Sequence, residues 1–297
     1  MPKRKISGVL LLDKPAGLSA NQALQKARWL FQAEKAGHTG TLDPFATGLL
    51  PLCLGEATKF SQFLLDADKV YDATLCLGVR TTTADPEGEV IASRPVAVSE
   101  ADVRRVLPAF IGAIRQVPPM HSALKRDGRP LYAYARAGIE LERAPRPVRI
   151  DAIELLHLSG DQLRLRVHCG KGVYVRTLAE DLGEALGCGA HLGALRRERV
   201  GPFSLADALD LDALAALEPA ARDARLLAVD VLLAALPRLD LGTEAAWQLG
   251  HGQAVWLPGL RVGETLRAYD PAGALLGVVR VDDDGRAAPR RLLAALP

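Results

Sequence analysis

The segment from residue 148 to residue 169 predicts a β-hairpin, which makes an antiparallel sheet part of the fold. Two strand-like runs, 150–158 and 163–169, are joined by the turn residues Ser159-Gly-Asp161. The second run alternates strictly, with Leu163, Leu165 and Val167 on one face and Arg164, Arg166 and His168 on the other. One face of this sheet should therefore pack on a core, and the other should be basic.

Helices are predicted around these strands from caps and from apolar spacing. Ser19-Ala-Asn-Gln22 has the form of a capping box and opens one helix, and Ser99 caps a second that runs to Ile111. Further helices are expected at 57–65, 130–137, 177–186 and, in Ala/Leu-rich sequence, 206–235; further strands are expected at 8–13 and 70–79, and 49–54 is a second apolar run. The predicted class is α+β, a mixed or antiparallel sheet flanked by helices.

A change near Pro237, from Ala/Leu-rich sequence to short strand-like pieces, predicts two domains. The 297 residues suit roughly two domains at about 150 residues each. Residues 1–236 read as a mixed α/β body, and residues 237–297 read as a small, mostly β domain with turns at Pro271-Ala-Gly273 and 282–285.

The composition is that of a globular protein without a membrane segment. Hydrophobic residues make up 49% and charged residues 24%, no run of about 18 uncharged apolar residues occurs, and the start MPKRKISG lacks the apolar run of a signal peptide. We therefore expect a cytoplasmic protein. The four cysteines are scattered without a Cys-x-x-Cys, which argues against a zinc knuckle or a redox pair.

The charge is uneven along the chain. Residues 1–50 hold seven Lys or Arg against three Asp or Glu, and residues 121–200 hold fourteen against ten. Residues 201–236 reverse this, with two against six. A basic body beside an acidic segment is compatible with a polyanionic partner and equally with an ordinary solvated surface.

The loop Gly37-His-Thr-Gly-Thr-Leu-Asp-Pro-Phe-Ala-Thr-Gly48 is the strongest candidate site. Its glycines permit close approach of a ligand to the backbone, and Asp43 is its single carboxylate. Pro44 restricts Asp43 to extended conformations, so the carboxylate should be preset. From the residues alone, Asp43 could be a turn residue that bonds nearby amides, the loop could cradle a phosphate, or Asp43 could do chemistry.

Motifs along the first 200 residues resemble the TruB family of tRNA pseudouridine synthases. The loop is similar to the family's Gly-His-Thr-Gly-x-Leu-Asp-Pro motif, and the other matching segments follow in the family's order. They are Leu11-Leu-Asp-Lys-Pro-x-Gly17, Gly55-Glu-Ala-Thr-Lys59, Tyr71, Gly78-x-Arg-Thr81, Pro119-Met-x-Ser-Ala-Leu-Lys125, Cys169-x-Lys-Gly-x-Tyr-x-Arg176 and His191-Leu-x-x-Leu-Arg-Arg197. Residues after 237 resemble a PUA-like RNA-binding domain, and the resemblance implies the pseudouridine synthase fold for the body.

The resemblance implies a reaction as well. A uridine in the T-loop of tRNA, position 55 in the usual tRNA numbering, would be isomerised to pseudouridine without a cofactor or a metal. Asp43 would be the catalytic residue, attacking the pyrimidine ring or acting at the ribose. Arg176 would be its counter-ion and would lower the pKa of Asp43 enough to offset moderate burial. Tyr71 would stack on the extruded base and could assist a proton transfer.

The resemblance also implies a set of RNA contacts. His38 would contact the RNA loop, Leu195 would pack against the base pocket, and cations would contact phosphates. Those cations are Lys14, Lys59, Lys125, Lys171, Arg196 and Arg197. The partner would be the T-arm of tRNA, bound by a monomer with no protein partner implied. Phe45 and His121 depart from the family pattern, and neither is expected to touch the catalytic residues.

Two other classes of function remain open. A non-catalytic RNA-binding protein or RNA chaperone would keep the pocket without the reaction, although intact Asp43 and Arg176 argue against this. A hydrolase built on His38 and Asp43 would lack a second carboxylate, a serine nucleophile elbow and a metal cluster in the motif.

Overall fold

The computed structural model describes residues 3–294, in which a large sheet carries most of the helices and a smaller sheet follows it. The α-helices are α1 (Ala20–Phe31), α2 (Gln62–Leu65), α3 (Glu100–Val106), α4 (Leu131–Ala135), α5 (Val175–Ala185), α6 (Leu211–Ala216), α7 (Pro219–Asp223) and α8 (Thr243–Gly250). The 3₁₀ helices are Gly55–Phe60, Leu107–Phe110, Leu205–Asp207 and Val229–Leu233. The strands are β1 (Gly8–Lys14), β2 (Ala36–His38), β3 (Thr47–Leu54), β4 (Lys69–Leu77), β5 (Val79–Thr81), β6 (Val90–Ser93), β7 (Gly112–Gln116), β8 (Lys125–Arg126), β9 (Arg129–Pro130), β10 (Arg146–Ser159), β11 (Gln162–Cys169), β12 (Ala190–Val200), β13 (Phe203–Ser204), β14 (Arg238–Asp240), β15 (Val255–Trp256), β16 (Thr265–Tyr269), β17 (Leu275–Val281) and β18 (Arg286–Leu292).

The large sheet is mixed, as predicted. Its strand order is β1-β3-β12-β4-β11-β10-β7, with β2 added beside β3 and β13 beside β12. The β12–β3 pair is parallel and the other pairs are antiparallel. The predicted hairpin is confirmed as β10–β11, with Leu158 opposite Leu163. The α+β class is therefore confirmed, and β4 and β12 lie at the centre of the sheet.

Both faces of β1 are buried, because alternate side chains enter two different cores. Leu10 and Leu12 join the core shared with α1, α3, α5 and α6, whereas Val9 and Leu11 join a core with the Gly55–Phe60 helix and α2. Fully burying one leucine side chain contributes roughly 1.5–3 kcal/mol. These two cores hold the helices on opposite faces of the sheet.

The predicted capping box begins α1. The Ser19 hydroxyl accepts a hydrogen bond from the Gln22 amide at 3.2 Å, and the Gln22 side chain accepts one from the Ser19 amide at 2.9 Å. Ser99 caps α3 in the same way, with Asp102 as its partner. These local signals are readable in sequence because all the partners lie within one turn.

The segment 206–235 is not the helical run that its composition predicts. It contains α6, α7 and two 3₁₀ turns, separated by extended residues. The extended residues pair with β1: the Asp13 amide donates to the Leu209 carbonyl at 2.9 Å, and Val9 exchanges two hydrogen bonds with Leu227. Pairing along the edge strand of the sheet has overridden the helix propensity of Ala and Leu.

One smaller prediction was also inexact. The helix expected at 57–65 is the 3₁₀ helix Gly55–Phe60 followed by the single turn of α2. The C-terminal region has, besides its strands, the helix α8. No helix within residues 3–294 combines the length and the apolar character needed to cross a bilayer.

The exposed face of the hairpin is charged but not basic, which corrects the prediction. Arg164 pairs with Asp72 on β4 at 2.6 Å, and Arg166 pairs with Glu198 on β12 at 2.9 Å. His168 lies 3.4 Å from a carboxylate oxygen of Glu154. The carboxylates come from neighbouring strands, which an alternating pattern in a single strand does not reveal.

The small sheet, with order β14-β16-β17-β18-β15, is fastened to the body. The Tyr269 hydroxyl on β16 donates to Asp230 at 3.1 Å, and Lys59 donates to the Leu292 carbonyl on β18 at 3.0 Å. Val278 on β17 enters the core that contains Val9 and Leu11. The two sheets therefore share polar and apolar contacts.

Candidate active site

The loop between β2 and β3 is held at three points, and Asp43 lies between two of them. The Thr39 amide donates to the Pro51 carbonyl at 3.1 Å, and the Gly40 carbonyl accepts from Arg197 at 3.1 Å. The Pro44 carbonyl accepts from the Gly17 amide at 2.8 Å and from Lys14 Nζ at 3.3 Å. Asp43 is thus presented on a fixed backbone, as the Asp-Pro sequence predicts.

The structure brings Arg176 onto Asp43 in a two-pronged ion pair. Arg176 Nε lies 3.0 Å from Asp43 Oδ2, and Nη2 lies 3.2 Å from Oδ1. Arg176 is the second residue of α5 and only 5% of its side chain is exposed, whereas 31% of the Asp43 side chain is exposed. The forked geometry fixes the carboxylate in orientation as well as in charge.

A second carboxylate, Asp85, shares the same guanidinium. Arg176 Nη1 lies 3.3 Å from Asp85 Oδ2, and only 3% of the Asp85 side chain is exposed. Thr83 Oγ1 donates to Asp85 at 2.5 Å, and the Glu87 amide donates at 3.0 Å. Asp85 was not predicted from the sequence; the signal that could have found it is its position four residues after the motif Gly78-x-Arg-Thr81.

Residues before α5 complete the support of Arg176. Arg176 Nη2 donates to the His121 carbonyl at 2.7 Å, so the expectation that His121 stays clear of the site was wrong for its backbone. The Gln116 amide donates to the Tyr174 carbonyl at 3.2 Å and accepts from the Tyr174 amide at 3.0 Å. Gln116 therefore fixes the residue that precedes α5, and no local sequence signal marks this long-range role.

On balance, the surroundings raise the pKa of Asp43. Burial raises it most, the positive charge of Arg176 opposes the rise, and the nearby Asp85 charge adds to it. The expected offset by Arg176 is therefore incomplete, because burial outweighs the attraction of the guanidinium and the Asp85 charge adds to the rise. Arg176 therefore orients the Asp43 carboxylate, but the pKa of Asp43 is not lowered below its ordinary value.

Tyr71 lies on β4 with its ring half-buried beside the site. It is the cross-strand partner of Arg197 on β12, and Leu195 pairs with Ala73 two residues along the same strands. Burial raises the pKa of Tyr71, with the Arg197 guanidinium opposing the rise and the Asp43 charge adding to it. Tyr71, Asp43 and Arg197 therefore influence one another electrostatically, and the buried Leu195 packs in the main core.

His38 ends β2 with an unsatisfied ring nitrogen. Its Nδ1 is buried and has no hydrogen-bond partner among residues 3–294. Burial, and then the charge of Arg197, lower the pKa of His38, so the ring is neutral near pH 7. A neutral imidazole with a free nitrogen can accept or donate a hydrogen bond, according to its tautomer.

Two of the predicted phosphate-binding cations are buried, and a phosphate contact does not fit them. Lys14 has 0% exposed surface and donates to the carbonyls of Pro15, Leu18 and Pro44. Burial lowers the pKa of Lys14 to about 8. Arg197 is 1% exposed and donates to the Leu49 and Gly40 carbonyls. Both side chains hold backbone around the site instead of reaching outward.

The other four cations lie nearer the surface. Lys171 pairs with Asp66 at 2.9 Å, and Arg196 pairs with Asp13 at 2.7 Å. Lys125 is exposed on the β8–β9 hairpin, and Lys59 contacts Glu56 at the junction with the small sheet. Arg196 also donates to the Thr47 hydroxyl of the Asp43 loop at 3.2 Å, and within residues 3–294 none of the four forms an ion pair with Asp43 itself. Among residues 3–294, no group of three or more His, Cys, Asp or Glu is placed to hold a metal ion.

Three family profiles match the chain in succession. Residues 28–175 match the N-terminal domain of TruB family pseudouridylate synthase, residues 176–234 match the C-terminal domain of tRNA pseudouridylate synthase B, and residues 237–293 match the C-terminal region of pseudouridine synthase II TruB. The first match contains Asp43, Tyr71 and Asp85, and the second begins at Arg176.

Relatives of similar length match over the whole chain. A tRNA pseudouridine synthase B of Stutzerimonas stutzeri is 55% identical, covering 98% of this chain and 97% of the relative. A protein of the same name from Burkholderia mallei is 56% identical, covering 99% of each chain. Such identity extends over both sheets.

Solved structures with the same architecture include a chain from a Cbf5-Nop10-Gar1 complex. It is 28% identical with a TM-score of 0.73, and the match covers 93% of this chain and 78% of that one. A chain from an archaeal box H/ACA sRNP Nop10-Cbf5 complex gives a TM-score of 0.73 at 24% identity, covering 96% of this chain and 85% of that one, and supports the fold alone. The large mixed sheet and the smaller sheet after it thus recur together in other proteins.

Proposed function

Because this chain belongs to the TruB family of pseudouridylate synthases, we propose that it isomerises the T-loop uridine at position 55 of tRNA to pseudouridine. The observation that carries the proposal is the Asp43 carboxylate, gripped by Nε and Nη2 of Arg176 on a loop fixed at both ends. The relatives that are 55–56% identical over the whole chain are named tRNA pseudouridine synthase B, which supports tRNA as the substrate.

The reaction needs one well-placed carboxylate and no net change of atoms. The bond between ribose C1′ and uracil N1 breaks, the base turns, and a bond forms between C1′ and C5. The proton on C5 is lost and N1 gains a proton. Asp43 either attacks the pyrimidine ring or acts at the ribose to form an unsaturated sugar. We propose Asp43 as the acting residue in both routes, Arg176 as its counter-ion, and no cofactor.

Asp43 must be ionised to act in either route. Burial raises the pKa of Asp43, and the ion pair with Arg176 opposes that rise and favours the charged form. We expect turnover to fall as the pH falls through the pKa of Asp43. The backbone anchors at Gly40 and Pro44 keep the loop from moving when Asp43 meets the substrate.

The target base has to leave its stack before Asp43 can reach the sugar. Extrusion costs a few kcal/mol, and stacking on an aromatic ring returns roughly 1–3 kcal/mol per base. We propose the half-buried ring of Tyr71 as that platform, with Leu195 packing behind the pocket. His38, with its unpaired Nδ1, is proposed to contact the RNA loop.

The remaining contacts are proposed for the RNA backbone. Lys59, Lys125, Lys171 and Arg196 have exposed or half-exposed side chains that suit phosphate oxygens. Residues 1–236 would form the catalytic domain, and residues 237–297 a PUA-like domain that adds RNA contacts. Residues 295–297 lie outside the described part of the chain. Binding that rests on such contacts should weaken as salt is added.

We expect one copy of the chain to act on the T-arm in the cytoplasm without a protein partner. A single chain supplies Asp43, Arg176 and Tyr71, so the proposed site is complete without a second copy.

Release of tritium from a T-arm minihelix that contains 5-tritiated uridine tests the function directly, because the C5 proton leaves only if the reaction runs. Wild type should release tritium, and Asp43→Asn should release none while still binding the RNA. Asn keeps the size and loses the charge, so retained turnover by this variant would refute Asp43 as the acting residue.

Asp161→Asn is the matched control for that experiment. Asp161 is an exposed carboxylate in the β10–β11 turn, and its neutralisation should leave release unchanged. If wild type binds the minihelix and releases no tritium, the chain is an RNA-binding protein or chaperone and the proposed isomerisation is wrong.

A further inference from the structure

Within residues 3–294, Arg197 is the largest completely buried side chain, and it has no counter-ion among those residues. Among residues 3–294, no carboxylate oxygen lies within 4.0 Å of its guanidinium. Its hydrogen bonds go to neutral carbonyls, from Nε to Leu49 at 2.7 Å and from Nη2 to Gly40 at 3.1 Å. A buried cation without an opposite charge is costly, whereas Arg176 nearby has two carboxylates. Packing alone would be served better by an apolar side chain.

The place of Arg197 links the two parts of the proposed site. It is the cross-strand partner of Tyr71 on β4, and it also pairs with Gly48 at the end of the catalytic loop. A Cβ on Gly48 would lie 2.4 Å from the Arg197 carbonyl oxygen, so only glycine allows the two strands to come this close. Gly40, which accepts from Nη2, belongs to the same loop. Arg197 therefore spans from the Asp43 loop to the Tyr71 ring.

The charge of Arg197 acts on the groups around it. It adds to the effect of burial in lowering the pKa of His38 and of Lys69, and it opposes the rise that burial gives the pKa of Tyr71. Burial and Arg197 likewise lower the pKa of Lys14, which Asp43 opposes. The other charged or titratable groups that act on Tyr71 are Asp43 and Cys169. The guanidinium of Arg197 is thus an electrostatic neighbour of His38, Lys14, Lys69 and Tyr71.

The reaction has a use for such a charge. When the C1′–N1 bond breaks, its electron pair goes to the uracil, which carries negative charge until C5 bonds to C1′ and releases its proton. A fixed cation in a water-excluded site stabilises charge that develops during reaction more strongly than the same cation in solvent. If the chain catalyses the reaction proposed above, the groups beneath the stacked base must stabilise the negative charge on the departing uracil.

We propose that Arg197 is a positioning residue for the isomerisation, which holds Tyr71 and the Gly40 carbonyl in register and places an unneutralised positive charge behind the departing uracil. It acts through Tyr71 and the loop and touches no substrate atom itself. Its role therefore differs from that of Arg176, which serves the Asp43 carboxylate.

Single-turnover tritium release, measured beside minihelix affinity, tests this role. Arg197→Met keeps an unbranched side chain and removes the charge; it should slow release roughly 10²- to 10³-fold, the loss typical of one preorganised electrostatic donor. RNA affinity should change less than about threefold, since Arg197 is buried. Arg197→Lys, which restores charge without the fork, should recover part of the rate and remains informative if the Met variant fails to fold.

A double-mutant cycle separates this role from a merely structural one. If Arg197 acts through Tyr71, Arg197→Lys combined with Tyr71→Phe should be slowed by clearly less than the product of the two single effects. Multiplicative effects would overturn the proposal, as would a Lys variant with the wild-type rate. So would a loss confined to RNA affinity.

Arg199→Met is the control on the same strand. Arg199 is exposed and forms no ion pair within residues 3–294, so its variant should release tritium like wild type. If wild type and Arg199→Met are active and the Arg197 variants equal them, this inference alone is wrong. If wild type releases no tritium, both the proposed function and the role proposed for Arg197 are wrong.

Discussion

On the two faces of the large sheet around β4, β11 and β12, arginine side chains have opposite surroundings. On the exposed face, Arg164 pairs with Asp72 and Arg196 pairs with Asp13, each at under 3 Å and in contact with solvent. On the inner face, Arg197 lies beside Tyr71 with carbonyls for partners and no carboxylate within 4.0 Å among residues 3–294. Arg196 and Arg197 are adjacent on β12, yet the charge of Arg196 is paired and screened by solvent, whereas Arg197 is buried without a counter-ion among residues 3–294.

The difference separates charges that serve solubility from charges that serve chemistry. Exposed ion pairs contribute little, because water and salt screen them and their side chains lose entropy on pairing. A buried charge interacts strongly with everything around it, which is useful only where a reaction creates or moves charge. Arg176 is an intermediate case, since it is buried but shared between Asp43 and Asp85.

Asp85→Asn should give the largest effect of the three changes that sharpen this comparison. It removes one of the two carboxylates that hold Arg176, and a small misplacement of a catalytic group can cost about 10²-fold in rate. The Asp85 charge also raises the pKa of Asp43, so its removal should lower that pKa. In a pH–rate profile of tritium release, the acid limb should move to lower pH while the plateau falls.

Asp68→Asn is the control, because Asp68 pairs with Arg149 on the surface and 61% of its side chain is exposed. Thermal unfolding of both variants separates lost folding from lost positioning. An Asp85→Asn enzyme with an unshifted acid limb and a normal plateau would show that sharing of Arg176 has no functional consequence.

Substitutions at Tyr71 should give a graded, smaller effect. Tyr71→Leu removes the stacking surface, worth roughly 1–3 kcal/mol per base, as well as the hydroxyl. Tyr71→Phe keeps the ring beside its cross-strand partner Arg197 and loses the hydroxyl. If stacking dominates, the Leu variant should release tritium far more slowly than the Phe variant. Equal slowing by both variants would mean that the Tyr71 hydroxyl, and not stacking on its ring, is what the reaction needs.

Much of the fold is predictable because its signals are local. The β10–β11 hairpin follows from alternation and turn residues, and the start of α1 follows from a capping box within one turn. The segment 206–235 failed for the opposite reason. Its Leu209 and Leu227 are held extended by hydrogen bonds to β1, which is about 200 residues away in the sequence.

The site shows the same limit. Asp43 stands out in sequence, since it is the one carboxylate in a Gly-rich loop, and the family motif supplies Arg176 and Tyr71. Asp85 and Gln116 do not stand out, because each acts through Arg176 or Tyr174 from a distant strand or loop. Whether an arginine reaches outward or is buried was also undecided by sequence: Arg196 and Arg197 are neighbours with opposite fates.

The smallest effect should come from the exposed face itself. Arg164→Met breaks the ion pair between Arg164 and Asp72. Because 56% of the Arg164 side chain is exposed, the free energy of unfolding should fall by less than about 1 kcal/mol. Urea unfolding at low and at high salt measures this, and the difference from wild type should shrink as salt screens the pair. Arg104→Met, which breaks an exposed pair with Glu100 on α3, provides the matched control. If the free energy of unfolding fell by several kcal/mol and the fall did not depend on salt, Asp72 would need Arg164 as a buried charge needs its counter-ion. The ion pairs of the exposed face would then differ from the buried arginines only in degree.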